Sequence, residues 1–214
     1  MSVEIKNAVG QVLYVVEGDT LRGHRFPRGT YLGGANLWGM DISDCVFPQC
    51  ALPGADLRDV IAKNARFVKC LCDGTRFDGA DLERARLNVA CTGTSFRNIH
   101  APYSTWERGC SFAEGCSLAG AYLVNANASA AWGMYDTTRR EFNVDLDGAD
   151  ITGWKPPTTV RGFTQPVPRA IFRPNEQREA AQLMFDSGQA SLFGWLQDHN
   201  LIDEETGELA LPTW

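Results

Sequence analysis

The chain has 214 residues, 44% of them hydrophobic, and 26 acidic against 20 basic residues give a formal net charge of −6. This length and balance exclude wholesale disorder, leave room for one sizeable domain with an appendage or two small domains, and argue against gripping nucleic acid or an anionic membrane through bulk charge. Seven cysteines cannot all pair, in a chain too long for a disulfide-stapled scaffold, and 21 glycines promise many turns.

The first segment, residues 1–20, opens with Met1 to Gly10, which carries Glu4 and Lys6 and lacks the apolar stretch of a secretory leader. No run of about 18 apolar residues follows, so no membrane span is expected. A cytoplasmic, reducing location is the expectation. Val3, Ile5 and Val12 to Val16 flank Asn7-Ala8-Val9-Gly10, a pattern that predicts a β-hairpin cap. Leu21 to Leu32, with Phe26-Pro27 and Gly29, reads as a degenerate first unit of the repeat that follows.

From Leu37 a step of five residues meets Leu37, Ile42, Phe47, Leu52, Leu57, Ala62, Phe67, Cys72, Phe77, Leu82 and Leu87. Nine of these eleven are Leu, Ile or Phe. Two positions earlier stand Ala35, Met40, Cys45, Cys50, Ala55, Val60, Ala65, Cys70, Thr75, Ala80 and Ala85, nine of which are Ala, Cys or Thr. A period of five fits neither a helix nor a continuous strand. Residues two apart on an extended chain point the same way, so a small and a large inward residue define one short side. The polar, glycine-rich residues between them suit a corner.

The units Ala35-Asn36-Leu37-Trp38-Gly39, Ala55-Asp56-Leu57-Arg58-Asp59, Ala80-Asp81-Leu82-Glu83-Arg84 and Ala149-Asp150-Ile151-Thr152-Gly153 carry the pattern A-(D/N)-L-x-x. The chain thereby resembles the pentapeptide repeat family. The resemblance implies an all-β solenoid, a right-handed quadrilateral β-helix with four five-residue sides per coil. It covers residues 21–154, most clearly 35–87. After Leu87 the register slips. Phe96 follows by nine residues, Trp106 continues, Phe112 and Leu118 each follow at six, and Leu123 and Ala128 return to fives. Residues 131–142 read as an inserted loop, and Leu146 and Ile151 as a last pair of sides.

At Trp154 the character changes. Five of the ten prolines lie between Pro156 and Pro174, so 155–174 reads as an extended linker. Residues 175–214 read as a small α-helical appendage, capped by Asn175. Its apolar residues Leu183, Met184, Phe185, Leu192, Phe193, Trp195 and Leu196 are candidate docking positions. They must cover something: the last coil, or a homodimer interface or partner-binding lid.

Six cysteines fall in the inward columns, Cys45, Cys50, Cys70, Cys110 and Cys116 at the small position and Cys72 at the large one. Buried free cysteine packs as a small apolar residue. Cys91 finds no place in the register. His24, His100 and His199 lie far apart, and neither a metal-ligand spacing nor a cofactor fingerprint nor a catalytic constellation stands out. The expectation is a non-enzyme with no metal and no cofactor.

What remains is the surface. Two neighbouring faces carry the candidate acidic residues Asp41, Asp44, Asp56, Asp59, Asp78, Asp81 and Glu83, while a third exposes Arg66, Lys69 and Arg86. Some members of the resembled family inhibit DNA gyrase or topoisomerase by imitating duplex DNA. The resemblance therefore implies a protein partner and a bacterial or phage-encoded binding module. In its most concrete form the module is an inhibitor or protector filling the DNA-binding groove of a nucleic-acid enzyme, such as gyrase, a topoisomerase or a host defence complex. Direct nucleic-acid or membrane binding is not expected. Residues 32–128 hold ten acids and nine bases, so bulk charge gives mimicry no support. The alternative is a structural or assembly component, for example of a phage particle, docking through its C-terminal helices.

Overall fold

The structure is a computed structural model that describes residues 1–154 except 114, 132–134, 137–140, 143, 146 and 147. Strands β1 (Ser2–Asn7) and β2 (Val12–Glu17) form the expected antiparallel hairpin. Asn7 closes its turn, with its side-chain oxygen accepting from the Val9 and Gln11 amides. The hairpin caps the solenoid: β1 pairs antiparallel with β3 (Ala35–Asn36), Ile5 and Val16 are buried, and Tyr14 lies 5.3 Å from Phe26. An otherwise open strand edge is thus covered.

Beyond the cap the chain winds in parallel rungs. Strands β4 (Val46–Pro48), β5 (Arg66–Leu71), β6 (Arg86–Cys91), β7 (Thr105–Trp106) and β8 (Ser111–Phe112) stack in parallel register. Elsewhere single bridges do the same work. One ladder runs Asn36, Asp56, Arg76, Ser95 and Ser117. It is continued by β9 (Cys116–Ser117) pairing with β12 (Val144–Asp145). Six rungs at strand spacing make a rod about 25 Å long.

Four inward columns fill the rod. Face A is centred on Leu37, Leu57, Phe77, Phe96 and Leu118, and face B on Ile42, Ala62, Leu82, Ala101, Leu123 and Ile151. Face C carries Phe26, Phe47, Phe67, Leu87, Trp106 and Ala128, and face D carries Leu32, Leu52, Cys72, Cys91 and Phe112. All of these are buried. Stacking at rung spacing aligns the rings: Phe47 and Phe67 lie 4.7 Å apart and 1° from parallel, Phe77 and Phe96 4.8 Å apart and 7° from parallel. Polar residues in the small column donate to the preceding rung. Thr75 Oγ1 reaches the Leu52 carbonyl at 2.7 Å, and Cys70 Sγ reaches that of Phe47 at 2.9 Å.

The second motif residue also has a local task. The side-chain oxygens of Asn36, Asp41, Asp56, Asp81, Asn127 and Asp150 each accept the amide two residues on. Asn or Asp in A-(D/N)-L therefore closes a side-chain turn at each corner.

Three positions go beyond the sequence reading. Cys91, left unassigned there, takes the large position above Cys72 because one residue is missing before it. Ser43, at an outward position of face B, is nonetheless buried at 2% exposure. On face C the rung after Leu87 adds an acid, Glu107, beside Arg86. The insertion expected over 131–142 contains β10 (Tyr135–Asp136) and β11 (Glu141–Phe142), an antiparallel pair. Apart from Ala131, which is buried, the rest of that insertion and Leu146 lie outside the described residues. So do the linker at 155–174 and the helical segment at 175–214 with Leu183, Met184, Phe185, Leu192, Phe193, Trp195 and Leu196.

Candidate functional site

Seven carboxylates were expected on faces A and B, and the rungs bring all seven there. Their partners come from the same two faces. Arg22 stands 3.7 Å from Asp41 and 3.2 Å from Asp44. Arg58 pairs with Asp56 at 2.6 Å, and Arg76 with Asp78 at 3.8 Å. Lys63 bridges Asp81 at 3.1 Å and Glu83 at 2.9 Å, and Arg84 adds a second contact to Glu83 at 3.1 Å. His100 Nδ1 lies 3.3 Å from Asp81. Asp59 accepts from the Trp38 indole Nε1 at 2.9 Å.

Their acidities follow from these contacts. Hydrogen bonding from Ser43 holds the Asp41 carboxyl below the usual range. Hydrogen bonding from Arg58 does so for Asp56, and from Lys63 for Glu83. At Asp81 partial burial pushes upward, but the Glu83 amide, Lys63 and His100 together outweigh it and the carboxyl ends lower. These four carboxylates stay ionised, and each of the seven is matched by a cation or a donor.

Between the paired charges stand large side chains that sequence reasoning did not single out as a site. Trp38 is 59% exposed, Ile61 43% and Tyr103 55%. The Arg58 guanidinium lies 5.4 Å from the Trp38 ring centre, and that of Arg84 5.9 Å from the Tyr103 ring. His100 stacks on Tyr122 at 5.1 Å. Only the rung spacing could have revealed these contacts, since Trp38 meets Asp59 and Arg58 from the next rung. The acids, their cations and these rings form one continuous, mixed surface.

Face C differs. Arg66 and Lys69 are exposed and have no ion pair among the described residues. Arg86 pairs with Glu107 at 2.6 Å. Among the described residues no group of three His, Cys, Asp or Glu is placed to hold a metal ion. All seven cysteines are free and buried. No helix among the described residues is long and apolar enough to cross a membrane.

Four flat faces of five-residue sides, small and large residues alternating inward and Asx turns at the corners define a quadrilateral β-solenoid. The family model described as pentapeptide repeats matches in 8 copies, over residues 28–61. No curated protein matches the sequence. Among solved structures, a trypsin-treated form of QnrB1, described as a plasmid-mediated fluoroquinolone resistance protein, shows 14% identity and a TM-score of 0.42. That alignment covers 79% of this chain and 93% of the other. A pentapeptide repeat protein, Rfr23, from the cyanobacterium Cyanothece 51142 shows 16% identity and a TM-score of 0.32, over 64% of this chain and 87% of the other. HetL, from the cyanobacterium Nostoc sp. strain PCC 7120 and involved in heterocyst differentiation regulation, shows 23% identity and a TM-score of 0.22, over 62% and 72%.

Proposed function

We propose that this chain is a non-enzymatic module that binds a protein partner through faces A and B. The observation that carries the reading is Trp38 and Tyr103, exposed among carboxylates and cations that already hold each other in place. Interface energy concentrates in aromatic and arginine anchors, and pre-positioned charges of both signs select a partner by position. A flat rod with straight columns of such groups suits another protein's surface.

The more concrete version has the rod fill the DNA groove of gyrase, a topoisomerase or a defence complex. That version needs a negative field, because such a groove is built for phosphates. Six of the seven carboxylates are instead held by cations of the same faces. Position-specific protein contact therefore fits the geometry better than DNA mimicry.

Capture of the partner with the full chain, repeated from about 50 to about 500 mM salt and with duplex DNA as competitor, separates the two. The present reading expects shallow salt dependence and no displacement by DNA. Steep loss with salt together with displacement by DNA would restore mimicry.

A further inference from the structure

Face C carries the cations that the rest of the rod does not neutralise. Arg25, Arg28, Arg66, Lys69, Arg86 and Arg108 line it, all exposed, against one acid, Glu107. The bridges Arg25 to Val46, Val46 to Arg66 and Arg66 to Arg86 set three of them along one ladder. Around the next corner, face D is nearly uncharged. Tyr31, Ala51, Leu71 and Ala90 occupy its consecutive outward positions, with Tyr31 64% and Leu71 53% exposed. The corner between C and D thus joins a basic strip to an apolar one.

The complementary chemistry lies in the same chain. Residues 175–214 hold eight acids and one base, Arg178, so this segment carries a net charge of −7. Residues 1–174 hold 18 acids and 19 bases. The acidity of the whole protein therefore belongs to its last forty residues, which also contain Phe185, Phe193 and Trp195. We infer that residues 175–214 dock in cis on the C–D corner, their carboxylates on the basic strip and their apolar side chains against Tyr31 and Leu71.

Reach and starting point favour this occupant over an external polyanion. Trp154, buried three residues past Ile151 of face B, delivers the chain to the start of face C. Residues 155–174 contain five prolines. In extended form they span about 60 Å, more than twice the rod. Tethering puts the acidic segment at an effective concentration in the millimolar range, which an untethered anion must exceed. The docking leaves faces A and B open, so it stands independently of the function proposed for them.

Carbodiimide coupling of the full-length protein tests it, because the reagent joins only an amine and a carboxylate already in contact. Lys69 is the one lysine on face C, and Lys63, 2.9 Å from Glu83, supplies an internal control. The expected result is a Lys69 link to a carboxylate of residues 175–214 in the monomeric band, lost at about 1 M salt where charges are screened within about 3 Å. A Lys63–Glu83 link with Lys69 left free would overturn the proposal. So would a Lys69 link to that segment found only in a covalent dimer, which would assign the face to a second copy.

Discussion

Leu57 is wholly buried in the middle of the face A column, between Leu37 and Phe77. Leu57→Asp would place an unpaired charge there, at a cost of several kcal/mol. The expected outcome is loss of the β-rich circular dichroism spectrum, and a folded variant would contradict the inward assignment. Phe67, stacked on Phe47, tests the same packing more gently. Phe67→Ala should cost about 3–5 kcal/mol in a denaturant titration.

The cysteines are informative for a different reason. Burial pushes the Cys45 thiol up to about 11 and the Cys110 thiol to about 12, and raises Cys72 and Cys91 as well. A thiol reagent such as Ellman's, which consumes thiolate, should react fast with none of Cys45, Cys72, Cys91 and Cys110 in the native protein at about pH 8 and with all seven cysteines after unfolding. Rapid native labelling of any of those four would show an interior looser than the one described.

Corners govern the element scale. The column between faces D and A is glycine on five successive rungs, Gly34, Gly54, Gly74, Gly93 and Gly115, all with φ between 60° and 83°. Open space surrounds Gly34, and Gly74 has nothing closer than 3.9 Å, so at these two conformation selects glycine rather than crowding. Gly74→Val should therefore destabilise by about 2 kcal/mol, measured as a lower denaturation midpoint.

The N-terminal cap adds a pH-sensitive joint. The His24 ring packs 4.6 Å from Phe26 and 5.8 Å from Tyr14, and its Nε2 atom is buried without a partner. Burial lowers its pKa. The unfolded chain then binds a proton that the folded chain resists, so stability is lost as pH falls through the ordinary histidine value of about 6.5. The lowered carboxylates of Asp41, Asp56, Asp81 and Glu83 act later, withdrawing their contribution only as pH falls below about 4. Melting temperature between about pH 7.5 and about pH 5.5 should fall in the wild type and fall less in His24→Asn. Equal falls in both would assign the effect elsewhere.

Over the whole molecule, the sequence made the rod and its columns legible because one spacing repeats through Leu37, Leu57 and Phe77. It lost the thread at Cys91, where a missing residue shortens the coil from Arg76 to Ser95 to 19 residues before the next, from Ser95 to Ser117, lengthens to 22. The acidic faces were legible as a set of positions, but their neutralisation was not. Arg22 meets Asp44 and Lys63 meets Glu83 about one coil apart, and only the winding brings such pairs together. The aromatic anchors were hidden for the same reason. Trp38 reads as a variable residue in its own repeat and becomes part of a surface only through Arg58 and Asp59 on the next rung.

Faces A and B as the partner-binding surface are the central claim, and the most direct measurement is partner affinity for paired variants whose fold is first verified by circular dichroism. Trp38→Ala and Asp56→Arg lie on the proposed surface, while Ala51→Arg lies on face D. The account predicts a loss of tenfold or more, about 1.4 kcal/mol, for each of the first two and little change for the third. Unchanged binding in both surface variants would contradict it.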